Sequence, residues 1–213
     1  MKLRTIPYQD YEKDLPQSGQ HILAQQNADT VIVYQAFNPH IASYAAENQI
    51  FGGDHYSYNR MTWIKPNFLW MMYRCGWAMK ENQKRVLAIE IAKEHFDEIL
   101  AGAVHSAFKA DKYEHVEAWQ AAVKISNVRL QWEPDLDPYG AKLERRAIQL
   151  GMRGEVQVRF GKEWIRSIDD ITEFVLEQGK LVAAKALDKL VVAEEQVYVP
   201  KSGQVDLKQL GLD

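Results

Sequence analysis

The chain has 213 residues, 46% hydrophobic and 26% charged, with a formal net charge of −3 at pH 7. That size and apolar content fit one globular domain with a sizeable core, and the acidic balance argues against broad nonspecific binding to duplex DNA, which draws on a basic surface. No apolar run approaches the roughly 18 to 20 residues of a membrane span, the first residues lack a signal-peptide hydrophobic region, and the single cysteine, Cys75, excludes an internal disulfide framework, so the expected setting is the reducing cytoplasm, with no membrane partner.

In chain order, residues 30–35 (TVIVYQ) predict a strand, β-branched and preceded by turn formers at 27–29. Asn38 as a cap and Pro39 as the first helical residue predict a short helix to about residue 49, stopped by Gly52 and Gly53. Residues 60–65 (RMTWIK) are extended, and the Lys65-Pro66 step marks a helix start near Pro66. Residues 86–91 read equally as a buried strand or the front of a helix, and 94–108 as an amphipathic helix. Alternation at 128, 130 and 132 predicts a strand within residues 123–132, followed by a loop, EPDLDPYG. Asp137 and Pro138 then open a predicted helix that Gly151 closes. Residues 156–160 alternate as a strand, Ser167 and Asp170 form a capping box for a helix ending at Gly179, and 196–200 read as a last short strand. This mixed order predicts an α+β fold: a single compact domain over residues 1–200, with a mixed or largely antiparallel sheet, several flanking helices, and a polar, frayed tail at 201–213.

Residues 60–77 hold three of the six tryptophans and the cations Arg60, Lys65 and Arg74, without an acid. On a helix from Pro66, Trp70, Arg74 and Trp77 share a face, so Arg74 would sit between two indoles at cation–π range. Core packing competes with ligand stacking for each tryptophan, because large aromatics dominate burial. Arg60, Thr62 and Lys65 alternate with apolar neighbours and project toward the helix N-terminus, a setting that favours anions; they form the predicted phosphate or carboxylate grip. From 60 to 85 there are six Lys/Arg side chains against Glu81 alone, and a second basic cluster spans 142–166. If the two meet, they make a positive groove on an acidic protein.

Nucleotide, hydrolase and zinc fingerprints are absent: no GxGxxG, GxxxxGK[ST], GxSxG or HExxH, and no histidine spacing suited to a metal. No metal site is predicted. Among the histidines only His55, in the loop before Arg60, attracts attention. Cys75 reads as a small buried thiol rather than a nucleophile.

The blocks TVIVYQAF, RMTWIKPNFLWMMYRCGWA, LQW followed by an acid and proline, and ERRAIQLGMRG resemble those of the family called domain of unknown function 4291 over nearly the whole chain. The resemblance implies no activity, but it groups Tyr34 and Gln35, residues 60–65, Trp70 and Arg74, Gln131 and Trp132, and Arg145, Arg146 and Gln149. Asn67 and Cys75 depart from the family pattern, where serine is frequent.

Three functions fit these residues. The first is an enzyme acting on a nucleotide-like or other anionic small molecule, with ADP-ribosyl transfer from NAD as its most concrete form. There, Arg60 holds phosphate, Tyr34 or Trp63 stacks on nicotinamide, Gln35 bonds an amide, and Glu133 stabilises the developing oxocarbenium charge. The second is a noncatalytic module for single-stranded RNA or a modified nucleotide, stacking bases on Trp63, Trp70 and Trp132. The third is a protein-interaction domain whose arginines pair with structural acids, such as Arg145 and Arg146 with Glu133 or Asp135.

Overall fold

The computed structural model describes residues 2–201 and 203–212. Its first part runs β1 (Thr5–Pro7), α1 (Tyr8–Tyr11), β2 (Gly19–Gln20), β3 (Leu23–Ala24), β4 (Thr30–Phe37), α2 (Pro39–Asn48), β5 (Thr62–Ile64) and α3 (Phe68–Cys75). Next come β6 (Arg85–Ala92), α4 (Lys93–Ala101), β7 (Ala103–His105), α5 (Val116–Ile125), β8 (Val128–Leu136) and β9 (Lys142–Met152). The last part is α6 (Gly154–Arg159), running straight into a π-helix (Phe160–Trp164), then β10 (Ile165–Asp170), α7 (Thr172–Ala183), β11 (Val191–Ala193), β12 (Gln196–Val197) and α8 (Leu207–Leu210).

A three-stranded sheet is antiparallel with strand order β10-β6-β4; a five-stranded sheet is mixed, β2-β9-β8-β7, with β5 also paired to β9; β1-β11 and β12-β3 are two-stranded antiparallel pairs. The fold is therefore α+β, as the order of elements predicts. β4 is buried on both faces, and its alternation divides the core. Val31 and Val33 join Leu87, Ile89 and Ile91 in the cluster that reaches β8, β9 and α4. Ile32 and Tyr34 join Val86 and Ala88 in the cluster beneath α3 and α7. Because side chains alternate along a strand, Gln35 belongs with Val31 and Val33, on the face opposite Tyr34.

α3 starts where Asn67 caps it, the Asn67 side chain accepting from Trp70 N at 2.7 Å. It ends at Gly76, whose φ of 59° provides the left-handed turn of a Schellman-type stop. In that motif Trp77 N donates to Met72 O at 2.9 Å. The helix is thus too short to hold Trp77, and the expected Trp70-Arg74-Trp77 face does not form. Trp77 instead lies over Gly179 in mid-α7, where an added Cβ would meet the Trp77 Cβ at 2.9 Å. The predicted helix stop at Gly179 is a packing position.

Other boundaries differ for local reasons. The predicted helix of 137–151 is a hairpin: the Asp137 carboxylate accepts from Tyr139 N at 2.9 Å and Ala141 N at 2.8 Å, and Gly140 has a φ of 85°. Asp-Pro thus builds a turn instead of a helix cap, and 142–152 is strand β9. EPDL, expected in a loop, extends β8. Residues 156–160 fall in α6 and the π-helix, the expected helix of 94–108 ends at Ala101, and α5, unpredicted, runs to Ile125, so the strand expected over 123–132 starts at Val128. Ser167 lies within β10, and its hydroxyl bonds the Glu90 carboxylate at 3.0 Å instead of opening a capping box. Within the described part of the tail, Val205 and Leu210 are buried in the core, and the Leu210 carbonyl accepts from the Trp132 indole at 2.7 Å. No helix among the described residues is long and apolar enough to cross a membrane.

Candidate functional site

β4 and β5 belong to different sheets and meet through one antiparallel bridge, Tyr34 with Lys65. Tyr34 N donates to Lys65 O at 2.7 Å and Lys65 N to Tyr34 O at 3.1 Å. Beside this bridge lies a cavity of about 610 Å³. Its wall includes Gln35 from β4, Arg60, Thr62, Trp63 and Lys65 from the extended β5 segment, and Arg74 from α3. The loop before β5 adds His55, Tyr56 and Ser57; the turn after α3 adds Asn82 and Gln83; and α6 adds Gln157. Among the described residues no Asp or Glu lines it. A second cavity, of about 450 Å³, has balanced charge, with Asp29, Glu94 and Asp97 beside Lys93, Arg166 and Lys201.

Lys65 dominates the electrostatics. Its side chain is 7% exposed, and its ammonium donates to the Trp63 carbonyl at 3.0 Å. Among the described residues it has no carboxylate partner. Burial, reinforced by the Arg74 guanidinium, pulls its pKa from the ordinary 10.5 down to about 7. A charged group in this position lacks its counter-ion, and an anion in the cavity would supply it. Arg60 and Arg74 are exposed at the same wall, and neither makes a salt bridge among the described residues.

Polar contacts fix the wall around Lys65. Gln35 donates from Nε2 to Thr62 Oγ1 at 2.7 Å and to the Trp63 carbonyl at 3.0 Å. The Tyr56 hydroxyl accepts from Gln157 Nε2 at 3.4 Å. Gly151 lets Trp63 and Met61 lie flat across β9: a Cβ there would meet Met61 Sδ at 2.7 Å and Trp63 Cε2 at 2.8 Å.

The structure gathers Gln35, Arg60, Thr62, Trp63, Lys65 and Arg74 at this cavity and leaves the other predicted site residues elsewhere. Tyr34 is fully buried on the other face of β4, edge-on to Phe68 at 5.6 Å, so it cannot stack on a ligand. Trp70 is buried against Leu136 and Ala147. Gln131 and Gln149 pair across β8 and β9 at 2.6 Å. Glu133 stands opposite Ala147 in the same ladder, outside the cavity lining.

Arg145 is a structural cation, bonded to Asp135 at 2.5 Å and to Glu12 at 2.7 and 2.8 Å. Arg146 donates to the Trp132 carbonyl at 3.0 Å, and Arg159 pairs with Glu98. The two basic clusters therefore do not merge into one groove. Nor does α3 offer its N-terminus to a ligand. The buried Glu195 carboxylate accepts from Phe68 N at 2.6 Å and from the Tyr11 hydroxyl at 2.6 Å, satisfying the end that the sequence suggested for an anion. Cys75 is buried, and burial pushes its thiol up, away from nucleophilic behaviour.

Sequence reasoning missed Tyr56, Asn82, Gln83 and Gln157. Gln157 was assigned to a strand, and the others lie in loops, where no periodicity marks them. His55 does line the cavity, stacked on His40 at 4.5 Å between ring centres.

Fold and cavity together define an α+β protein with a cation-rich pocket, free of acids among the described residues, at the junction of two sheets. The chain belongs to the family described as Domain of unknown function (DUF4291), whose model matches residues 21–198, a span that includes every residue lining the cavity. No curated protein matches the chain.

Proposed function

We propose that the cavity binds a phosphate-bearing, nucleotide-like small molecule. The observation that carries this reading is Lys65: a buried lysine without a carboxylate partner, beside Arg60 and Arg74, in a cavity with no acid in its described lining. Burying an uncompensated ammonium costs several kcal/mol, and a bound anion offsets that cost. Trp63 adds an indole face for a base or nicotinamide ring, and the volume of about 610 Å³ suits a nucleotide.

The ADP-ribosyl transfer version loses support from the same geometry. Tyr34 is in the core and Glu133 lies outside the cavity lining, so neither proposed role is available to them. The reading is therefore one of ligand binding, with NAD kept as one ligand to test. Open, base-stacking recognition of single-stranded RNA draws less support, because Trp70 is buried and Trp132 bonds the tail.

A thermal-shift screen against pyrophosphate, ADP, ADP-ribose, NAD and a short single-stranded RNA tests this. A ligand at about a hundred times its dissociation constant adds about 2.7 kcal/mol of stability. Stabilisation by the phosphate ligands, lost in Arg60→Ala, supports the proposal; no shift with any of them refutes it.

A further inference from the structure

The cavity beside the β4-β5 bridge has a single amine among its described lining residues, Lys65. Both backbone polar groups of Lys65 are used in the bridge to Tyr34, so the side chain is what it presents to the cavity. That side chain is nearly enclosed yet keeps accessible surface, 7% for the residue. An ammonium can donate three hydrogen bonds, and among the described residues Lys65 Nζ makes one, to the Trp63 carbonyl at 3.0 Å.

A lysine attacks carbon only when its lone pair is free, and on a solvated surface it is almost wholly protonated at neutral pH. Here burial, with the Arg74 guanidinium beside it, brings the pKa to about 7, so about half of the chains carry a free amine at pH 7. Desolvation and a neighbouring cation are the two usual means of activating a lysine for imine chemistry, and both act on this side chain. No Asp or Glu stands in the described lining to hold Lys65 in a plain ion pair. Arg60 and Arg74, exposed at the same lining and without salt bridges among the described residues, remain to hold the anionic end of a substrate.

We propose that Lys65 is a nucleophile that forms an imine with a phosphate-bearing aldehyde or ketone, the phosphate being held by Arg60 and Arg74. The Nζ lone pair forms the bond to the carbonyl carbon, the C=O bond breaks, and the oxygen leaves as water with the two protons of the neutral amine. Protonation of the imine nitrogen then keeps a cation opposite the phosphate. The inference rests on the phosphate-binding reading and adds one requirement to the ligand: within the nucleotide-like class, a sugar able to open to an aldehyde. A ligand without a carbonyl, such as ADP, leaves Lys65 as an ammonium facing the phosphate.

The test is reductive trapping on the full chain, with pyridoxal 5′-phosphate as the probe because it joins an aldehyde, a flat ring and a phosphate. The wild-type protein is incubated with the probe at neutral pH, borohydride reduces the imine to a stable secondary amine, and peptide mass mapping locates the labelled lysine. The expected result is labelling of Lys65 tenfold or more above any other lysine, and tenfold or more above what pyridoxal, lacking the phosphate, gives at Lys65. Calorimetry with pyridoxine 5′-phosphate, which has an alcohol in place of the aldehyde, reads phosphate binding alone. Lys65 labelled no more than the exposed lysines, while pyridoxine 5′-phosphate binds, overturns this inference and leaves the phosphate-binding reading standing. Equal labelling of Lys65 by pyridoxal removes the phosphate from the substrate class and overturns the proposal. Neither labelling of Lys65 nor binding of pyridoxine 5′-phosphate overturns both readings. Every readout uses the wild-type protein, so none depends on a variant folding.

Discussion

Replacing Lys65 with methionine should make the protein more stable at neutral and acidic pH, an unusual outcome for a buried position. The side chain keeps its length and loses the charge. In the folded protein the lysine pKa is about 7, against an ordinary 10.5 in the unfolded chain. At about 1.4 kcal/mol per pH unit, that difference sets an upper bound of about 5 kcal/mol on the cost of folding around the ammonium. The unfolded state holds the proton throughout the window from 7 to 10.5 and the folded state does not, so this cost is fully present below pH 7 and fades as pH rises toward 10. The variant also forfeits the hydrogen bond to the Trp63 carbonyl, at about 1 kcal/mol. Lys65→Met should therefore gain about 2 to 4 kcal/mol at pH 6.5 and close to nothing at pH 9.5. Urea denaturation followed by tryptophan fluorescence at both pH values measures this. An effect of the same size at both, or a loss at pH 6.5, would refute the claim that Lys65 is buried without a counter-charge.

Arg60→Ala should leave stability within about 0.5 kcal/mol, because the side chain is exposed, yet weaken ADP binding by roughly ten- to a hundredfold through loss of a charge-assisted contact. Calorimetry and a thermal melt on the same sample read the two effects separately. Arg145→Met should do the reverse: it strands the buried Asp135 carboxylate and frees Glu12, so it should cost about 3 to 5 kcal/mol in chemical denaturation. ADP affinity at a temperature where the variant is folded should not change. Gly151→Ala pushes a methyl into Met61 and Trp63, and should cost about 1 to 3 kcal/mol in chemical denaturation and shift the tryptophan emission.

Much of the site was legible because one short segment carries it. The RMTWIK block alternates, so Arg60 and Thr62 point together, and the proline after Lys65 fixes where the extended chain stops. What could not be read was the direction of each strand face. TVIVYQ is apolar on both sides, and only the packing of α3 shows that Tyr34 faces the core while Gln35 faces the cavity. The hairpin β8-β9 was hidden by the double meaning of Asp-Pro, which opens helices and turns alike. Arg145 and Arg146 read as ligand-binding cations because their partners, Asp135, Glu12 and the Trp132 carbonyl, lie 10 to 133 residues away in sequence. Gln157 carried no signal of its own: only the fold brings α6 to the cavity, against Tyr56 and Ser57.

The central claim, a phosphate held at Lys65, is tested most directly by calorimetric titration of ADP at pH 7.5 in buffers of different ionisation enthalpy. An amine with a pKa of about 7 is mostly neutral at that pH, and a bound phosphate raises its affinity for a proton. Binding should therefore take up a measurable fraction of a proton per ADP in the wild-type protein, and both the uptake and most of the affinity should vanish in Lys65→Met. Absence of binding, binding without proton uptake, or unchanged affinity in the variant would contradict the account.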